Sequence, residues 1–426
     1  MVQGRDDTST LTPEGEAMAL RTGEALKDLP LHRAYTSPLR RARRTAELVL
    51  TVLPSPPSLA VTEQLLEIDL EPWCGLHSTE LVRRFPEEQA LWRHRPEQLM
   101  LRRADGSSYR PIVELHAQAT DFWRHLQREN QDGNVLVVAH NCILRCLLLA
   151  ALGLGPEHFK LLRLDNCSLS VLNLGDPQVD AAGCRPLQLE SINSTLHLGG
   201  AMARPVGCQR VLLLRHGETD WNRDGRFQGQ IDIPLNGRGR GQSTATAELL
   251  RETRIDRAYT SALARPRQTA EAVLKHHPGV PLATVRGLIE IGHGDWEGCL
   301  ESDIAASWPE LLARWRSQPH TVAMPGEGGE TVQQVWDRSV KALGSIAAGL
   351  APGEAALVVA HDAVNKTILC DLLGLTAADI WVVKQGNGGV TVIDYPEGVE
   401  GQPVIRCLNL TAHQGGVLDG TAAGAL

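Results

Sequence analysis

Five residues, Arg33-Ala34-Tyr35-Thr36-Ser37, return unchanged as Arg257-Ala258-Tyr259-Thr260-Ser261, and no other feature of the chain constrains its fold as much. Each copy runs on through arginines to Thr-Ala-Glu, at Thr45 and at Thr269. Leu66-Glu67-Ile68, with Trp73 and Gly75 behind it, is answered by Ile289-Glu290-Ile291 with Trp296 and Gly298. Val137-Val138-Ala139-His140 is answered by Val358-Val359-Ala360-His361, and Asn166 by Asn387. The offset drifts only from 224 (257 minus 33) to 221 (361 minus 140). Matched blocks in one order at near-constant spacing mean two homologous domains, and the period is far too long for a solenoid. A length of 426 residues agrees, because one hydrophobic core seldom organises that much chain.

On this reading residues 1–175 form the first domain and 209–412 the second. Residues 176–208 carry scattered Gly and Pro without sustained periodicity and read as a linker, and 413–426 as a flexible Gly/Ala-rich tail. Apolar residues at 42% with charged residues at 22% exclude a disordered or fibrous chain. A net charge of −8 speaks against a nucleic-acid or anionic-membrane partner, so a bound anion must meet a local cationic pocket. The basic run Leu39 to Arg44 aligns with a helix of the second copy and does not change that. The longest apolar run, Cys146 to Leu154, is too short to span a membrane, and no signal-peptide core opens the chain. Nine cysteines without a CxxC pair read as reduced thiols, so the cytoplasm is the expected location. Oligomeric state leaves no mark in the sequence.

Val211 to Leu214 and Ala355 to Ala360 are short continuous apolar runs, the pattern of strands buried on both faces of a parallel sheet. Helical stretches lie between them, Leu263 to Leu274 and Val332 to Leu350, with Ser261 read as an N-cap and Thr331 and Gln334 as a capping box. The expected fold is α/β, a three-layer sandwich with a mostly parallel sheet flanked by helices, present twice. Ligands of such sheets bind beyond the carboxyl ends of the strands. Arg215-His216 ends the first run and His361 the second. Arg265 lies in the first turn of a helix, where a cation opposes the helix dipole and needs an anion to justify it. His293 and the pair His276-His277 read as surface residues rather than metal ligands.

Arg215-His216-Gly217-Glu218-Thr219, with Trp221-Asn222 following, resembles the signature of the histidine phosphatase (phosphoglycerate mutase-like) superfamily. Ser261-x-Leu263-x-Arg265-x-x-Gln268-Thr269-Ala270, Glu290 before Trp296-Glu297-Gly298, Pro325-Gly326 to Glu330-Thr331, and His361 follow in the family's order. The resemblance implies a metal-independent phosphomonoesterase that needs no cofactor and acts on a small phosphorylated metabolite. His216 would be the nucleophile, Arg215, Arg265 and His361 would surround the phosphoryl oxygens, and Glu290 would be the proton donor. Asn222, Thr219 and Gln228 would bind substrate. The rival implied by the family is mutase-type phosphoryl transfer. Mutases carry a longer insert over the site, whereas Asp303 to Gln318 supplies one short helix as a lid, which favours hydrolysis. The tandem form is similar to that of cyanobacterial and plastid members, some of them 2-carboxyarabinitol-1-phosphate phosphatases. Many members carry glycine after the late histidine, and Asp362 departs from that, as does Asn141 in the first copy. An acidic group there bears on pH dependence or substrate choice.

The first copy begins after the place of the nucleophile. Gln3-Gly4 matches Gln228-Gly229, and the counterpart of Arg210 to Asn222 is missing, while Arg41, Glu67 and His140 stand at the places of Arg265, Glu290 and His361. The expectation is an inactive domain with vestigial site residues, either cut short upstream of Met1 or retained as a silent scaffold.

Overall fold

The computed structural model describes residues 1–129, 133–175, 187–199 and 207–421. They fall into two units, Met1–Ser168 and Leu169–Leu426. In the first unit the elements are α1 (Pro13–Leu26), β1 (Leu31–Thr36), α2 (Arg40–Thr51), β2 (Leu59–Val61), α3 (Ser78–Arg84) and α4 (Pro86–His94). They continue with β3 (Leu101–Arg102), β4 (Ser108–Tyr109), α5 (Pro111–Glu129), β5 (Asn134–Val138) and α6 (Asn141–Ala151). Strands β2-β1-β5 form a parallel sheet.

The second unit comprises β6 (Leu169–Leu174), β7 (Leu187–Ser194), β8 (Gln209–Arg215), α7 (Asp220–Asp224), α8 (Gly237–Leu250), β9 (Arg257–Thr260) and α9 (Ala264–Leu274). It goes on through β10 (Leu282–Thr284), α10 (Glu301–Ser307), α11 (Pro309–Ser317), α12 (Val332–Ala348), β11 (Ala355–Ala360), α13 (Asp362–Leu372), β12 (Val390–Tyr395) and β13 (Val404–Leu410). Its sheet has the order β10-β9-β11-β8-β12-β13-β7-β6. The first four strands are parallel, as the apolar runs imply, and the remaining pairings are antiparallel. Leu212, Leu214, Leu357 and Val359 pack on one face against Ala247 and Leu250 of α8 and Ala270 and Val273 of α9. Helices α12 and α13 cover the other face. Fully burying each such Leu or Val is worth about 1.5–3 kcal/mol, so this central block anchors the strand ends that carry the site.

Several expectations need correcting. The stretch read as a linker contains β7, whose Ile192 pairs with Leu408 of β13, and β6 joins the same sheet, so the first unit ends at Ser168 rather than at 175. β7 was hidden by its polar residues, which are buried but bonded: Glu190 accepts from Asn173 Nδ2 (2.9 Å), Lys384 Nζ (3.0 Å) and the Asp419 amide (2.7 Å). Residues 176–186 and 200–206 lie outside the described residues. The tail is not free through 421, because Gln414 Nε2 donates to the Asn387 carbonyl (2.7 Å) and the Asn387 amide to Thr421 Oγ1 (3.0 Å). Residues 422–426 lie outside the description. The stretch expected to hold one lid helix falls across two, α10 and α11, split at Trp308 ahead of Pro309. Thr331 and Gln334 do form the capping box of α12. The N-cap of α9 is Leu263, not Ser261, and Asp232 Oδ1 takes the Ala264 amide at 2.7 Å.

His293, read as a surface residue, is fully buried against Phe227 (5.3 Å between ring centroids) and Trp315 (6.2 Å). Burial pushes its imidazole down to about 3 from the usual 6.5. An unfolded chain therefore takes up a proton below pH 6.5 that the folded chain refuses, and folding stability falls as pH drops through that window, by up to about 1.4 kcal/mol per unit. His293→Leu should flatten this acid limb. Melting temperatures compared at pH 7 and pH 5 test it, and an unchanged difference between the two would contradict the assignment.

Candidate active site

His216 follows the last residue of β8, and its amide donates to Ala360 O at 3.1 Å, which locks the chain end against β11. The next residue is glycine for a packing reason. A Cβ on Gly217 would come within 2.4 Å of the Gly239 carbonyl in α8. Its amide donates to Thr269 Oγ1 (3.1 Å) and that of Glu218 to Gln242 Oε1 (2.8 Å), so α8 and α9 both fasten the turn. From the other side Asn387 Nδ2 donates to His216 O at 3.1 Å.

The imidazole of His216 is held at both nitrogens. Nδ1 lies 2.7 Å from the Gly217 carbonyl, which only accepts, so Nδ1 carries the proton. Nε2 lies 3.2 Å from Arg265 Nε, which only donates, so Nε2 presents its lone pair. Burial, then Arg265 and Arg215, hold the ring well below the usual histidine range, so it is neutral.

Arg265 is itself fully buried and is pinned by the carbonyls of Gly229 (2.7 Å) and Ile231 (3.1 Å). Desolvation lowers its guanidinium to about 10, still charged at neutral pH. Arg215 donates through one terminal nitrogen to the Gln385 carbonyl, and its buried Nε has no partner. The ring of His361 lies 5.2 Å from that of His216, and both of its buried nitrogens lack partners. Glu290 is buried, with Oε1 accepting from the Ile291 amide (2.9 Å) and Oε2 from the Ala363 amide (3.4 Å). Burial raises its carboxyl above the usual range, and Asp362 pushes it the same way. Thus four of the expected residues, Arg215, His216, Arg265 and His361, meet at one buried pit with Glu290 at its side.

The three expected substrate binders are tied to one another. Thr219 Oγ1 donates to Gln228 Oε1 (2.8 Å) and accepts from the Asn222 amide (3.1 Å), and Thr219 and Asn222 form the capping box of α7. Gln228 Nε2 is buried and unpartnered. Two residues escaped the sequence reading. Arg338 of α12 donates to Glu290 O (3.0 Å) and pairs with Glu330 (2.8 Å), clamping the segment that presents Glu290. Glu297 takes the amides of Gln230 (2.8 Å) and Ile231 (2.9 Å) and shapes the loop that holds Arg265. Both acids stand inside quoted family blocks; Arg338 leaves no signal beyond its place on a polar helix face.

The first unit repeats part of this geometry. Arg41 donates to the Gly4 and Asp6 carbonyls (2.8 Å each), as Arg265 does to Gly229 and Ile231. Glu67 accepts from the amides of Ile68, Cys142 and Ile143. His140 Nε2 lies 2.9 Å from Ser37 Oγ, and no residue of the given sequence aligns with His216 there.

Residues 1–183 and 211–411 match the histidine phosphatase superfamily (branch 1). A probable 2-carboxy-D-arabinitol-1-phosphatase of Arabidopsis thaliana is 29% identical over 426 residues, 97% of this chain and 84% of that protein. A 2-carboxy-D-arabinitol-1-phosphatase of Triticum aestivum is 28% identical over 440 residues, 97% of this chain and 83% of that protein. Phosphoserine phosphatase 1 of Hydrogenobacter thermophilus is 32% identical over 206 residues, 48% of this chain and 94% of that protein. A metal-independent phosphoserine phosphatase of Arabidopsis thaliana is 38% identical over 184 residues, 43% of this chain and 75% of that protein.

Proposed function

This chain belongs to the histidine phosphatase superfamily (branch 1), and on that footing we propose that its second unit hydrolyses a small phosphomonoester through a phosphohistidine on His216, without a metal. The observation that carries this reading is the pinned tautomer. A lone pair on Nε2, fixed by a donor on one side and by Nδ1–H···O=C on the other, is what a nitrogen nucleophile for phosphorus requires.

In the first step Nε2 forms a bond to phosphorus as the ester P–O bond breaks, and the Glu290 proton passes to the departing oxygen. Arg265 must release Nε2 to the incoming phosphorus and turn its charge, with that of Arg215, to the phosphoryl oxygens. In the second step water attacks phosphorus, Glu290 takes its proton, and the P–N bond breaks to restore the neutral imidazole. The positive charge for both steps comes from the chain itself. The relatives' substrates, a carboxyarabinitol phosphate and phosphoserine, support a small phosphorylated acid as the class.

The test is phosphate release in the presence of EDTA from 2-carboxyarabinitol 1-phosphate, phosphoserine, phosphoglycerates and sugar phosphates. Release from at least one of them with EDTA present is the expected result. Interconversion of phosphoglycerates without phosphate release would contradict it, and so would activity that depends on added metal.

A further inference from the structure

Asp362 opens α13 directly after His361 and is buried. Its Oδ2 accepts from Lys366 Nζ at 3.0 Å, one helical turn on. Its Oδ1 has no hydrogen-bond partner and stands 3.9 Å from the guanidinium of Arg215, beyond hydrogen-bond reach. The buried Nε of Arg215 is unpartnered as well. An acceptor without a donor therefore sits beside a cation of the phosphoryl pit.

A carboxylate in that place carries two costs. It repels a phosphate dianion, and its bare oxygen forfeits the hydrogen bonds it would make in water. Lys366 offsets the first cost but leaves the second, which a donor on the ligand would remove. The charges already present decide what kind of donor fits. Lys366 and Arg215 flank the carboxylate, so an ammonium group would enter as a third cation among them, whereas a hydroxyl donates without adding charge.

We propose that Asp362 is a specificity-determining residue whose Oδ1 accepts a hydrogen bond from a substrate hydroxyl near the phosphoester, so that polyol and hydroxy-acid phosphates are preferred over alkyl and amino phosphates. The inference deepens the phosphatase reading and rests on it.

The experiment measures kcat/KM of the full chain for glycerol 1-phosphate, n-propyl phosphate, phosphoethanolamine and p-nitrophenyl phosphate. Glycerol 1-phosphate should exceed n-propyl phosphate by roughly 10- to 100-fold, the range of one hydrogen bond to a charged group, and phosphoethanolamine should not exceed n-propyl phosphate. Asp362→Ala should bring the glycerol-to-propyl ratio below about threefold. Because that change leaves Lys366 unpaired, Asp362→Ala combined with Lys366→Met removes both charges and should give the same ratio. Equal rates on the glycerol and propyl esters in the unaltered protein would overturn the proposal. A preference for phosphoethanolamine, or a ratio that survives both variants, would do so too. Failure of the unaltered protein to hydrolyse any of the four esters, p-nitrophenyl phosphate included, would instead strike the phosphatase reading itself.

Discussion

Replacing His216 by alanine is expected to lower kcat/KM by at least roughly 1000-fold on every ester the protein hydrolyses, the scale of loss when a covalent nucleophile is removed. The size follows from the site. The ring is buried, and its tautomer is set by Gly217 O and Arg265 Nε. His361, whose ring lies 5.2 Å away, is not held at either nitrogen and has no fixed lone pair to offer in its place. Circular dichroism and the melting temperature establish that the variant is folded, and kcat/KM then reports chemistry. Activity within tenfold of the unaltered protein would move the nucleophile elsewhere.

Glu290→Gln is the second large effect, and its signature is dependence on the leaving group. An alkoxide is too basic to depart without a proton, so a loss of roughly 100- to 1000-fold is expected on alkyl phosphates. p-Nitrophenolate departs without one, and the loss there should be under roughly tenfold. The pH profile supplies an independent sign. Burial and Asp362 hold the Glu290 carboxyl above its ordinary range, so the protonated acid persists to higher pH. The rate on alkyl esters falls as pH rises through that value, and the glutamine variant lacks this limb. Equal losses on both ester types would assign Glu290 a structural role.

What was legible in the sequence is what repeats or punctuates. The continuous runs at Val211 to Leu214 and Ala355 to Ala360 announced buried parallel strands because no solvent face forces alternation on them. The Thr331 capping box marked the start of α12, since its side-chain bonds are local. The gathering of Arg215, His216, Arg265 and His361 followed from topology, as strand ends of adjacent β8 and β11 cannot lie far apart. Features that depend on distant partners stayed hidden. β7 looked like linker because Glu190 and Asn193 seem solvated until Lys384, Asp419 and the Arg406 carbonyl meet them across the fold. His293 looked like a surface residue because its aromatic neighbours, Phe227 and Trp315, are remote in sequence. The Arg338 clamp on Glu290 spans 48 residues and shows no periodicity of its own.

The central claim is a phosphoryl group carried on one nitrogen. Incubation with a labelled phosphomonoester, a rapid alkaline quench and peptide mass spectrometry measure it directly. The expected result is an acid-labile, base-stable phosphoryl adduct on the peptide holding His216, absent from His216→Ala. Turnover accompanied by label on any other residue, or by none under conditions that trap the adduct in a related histidine phosphatase, would contradict it.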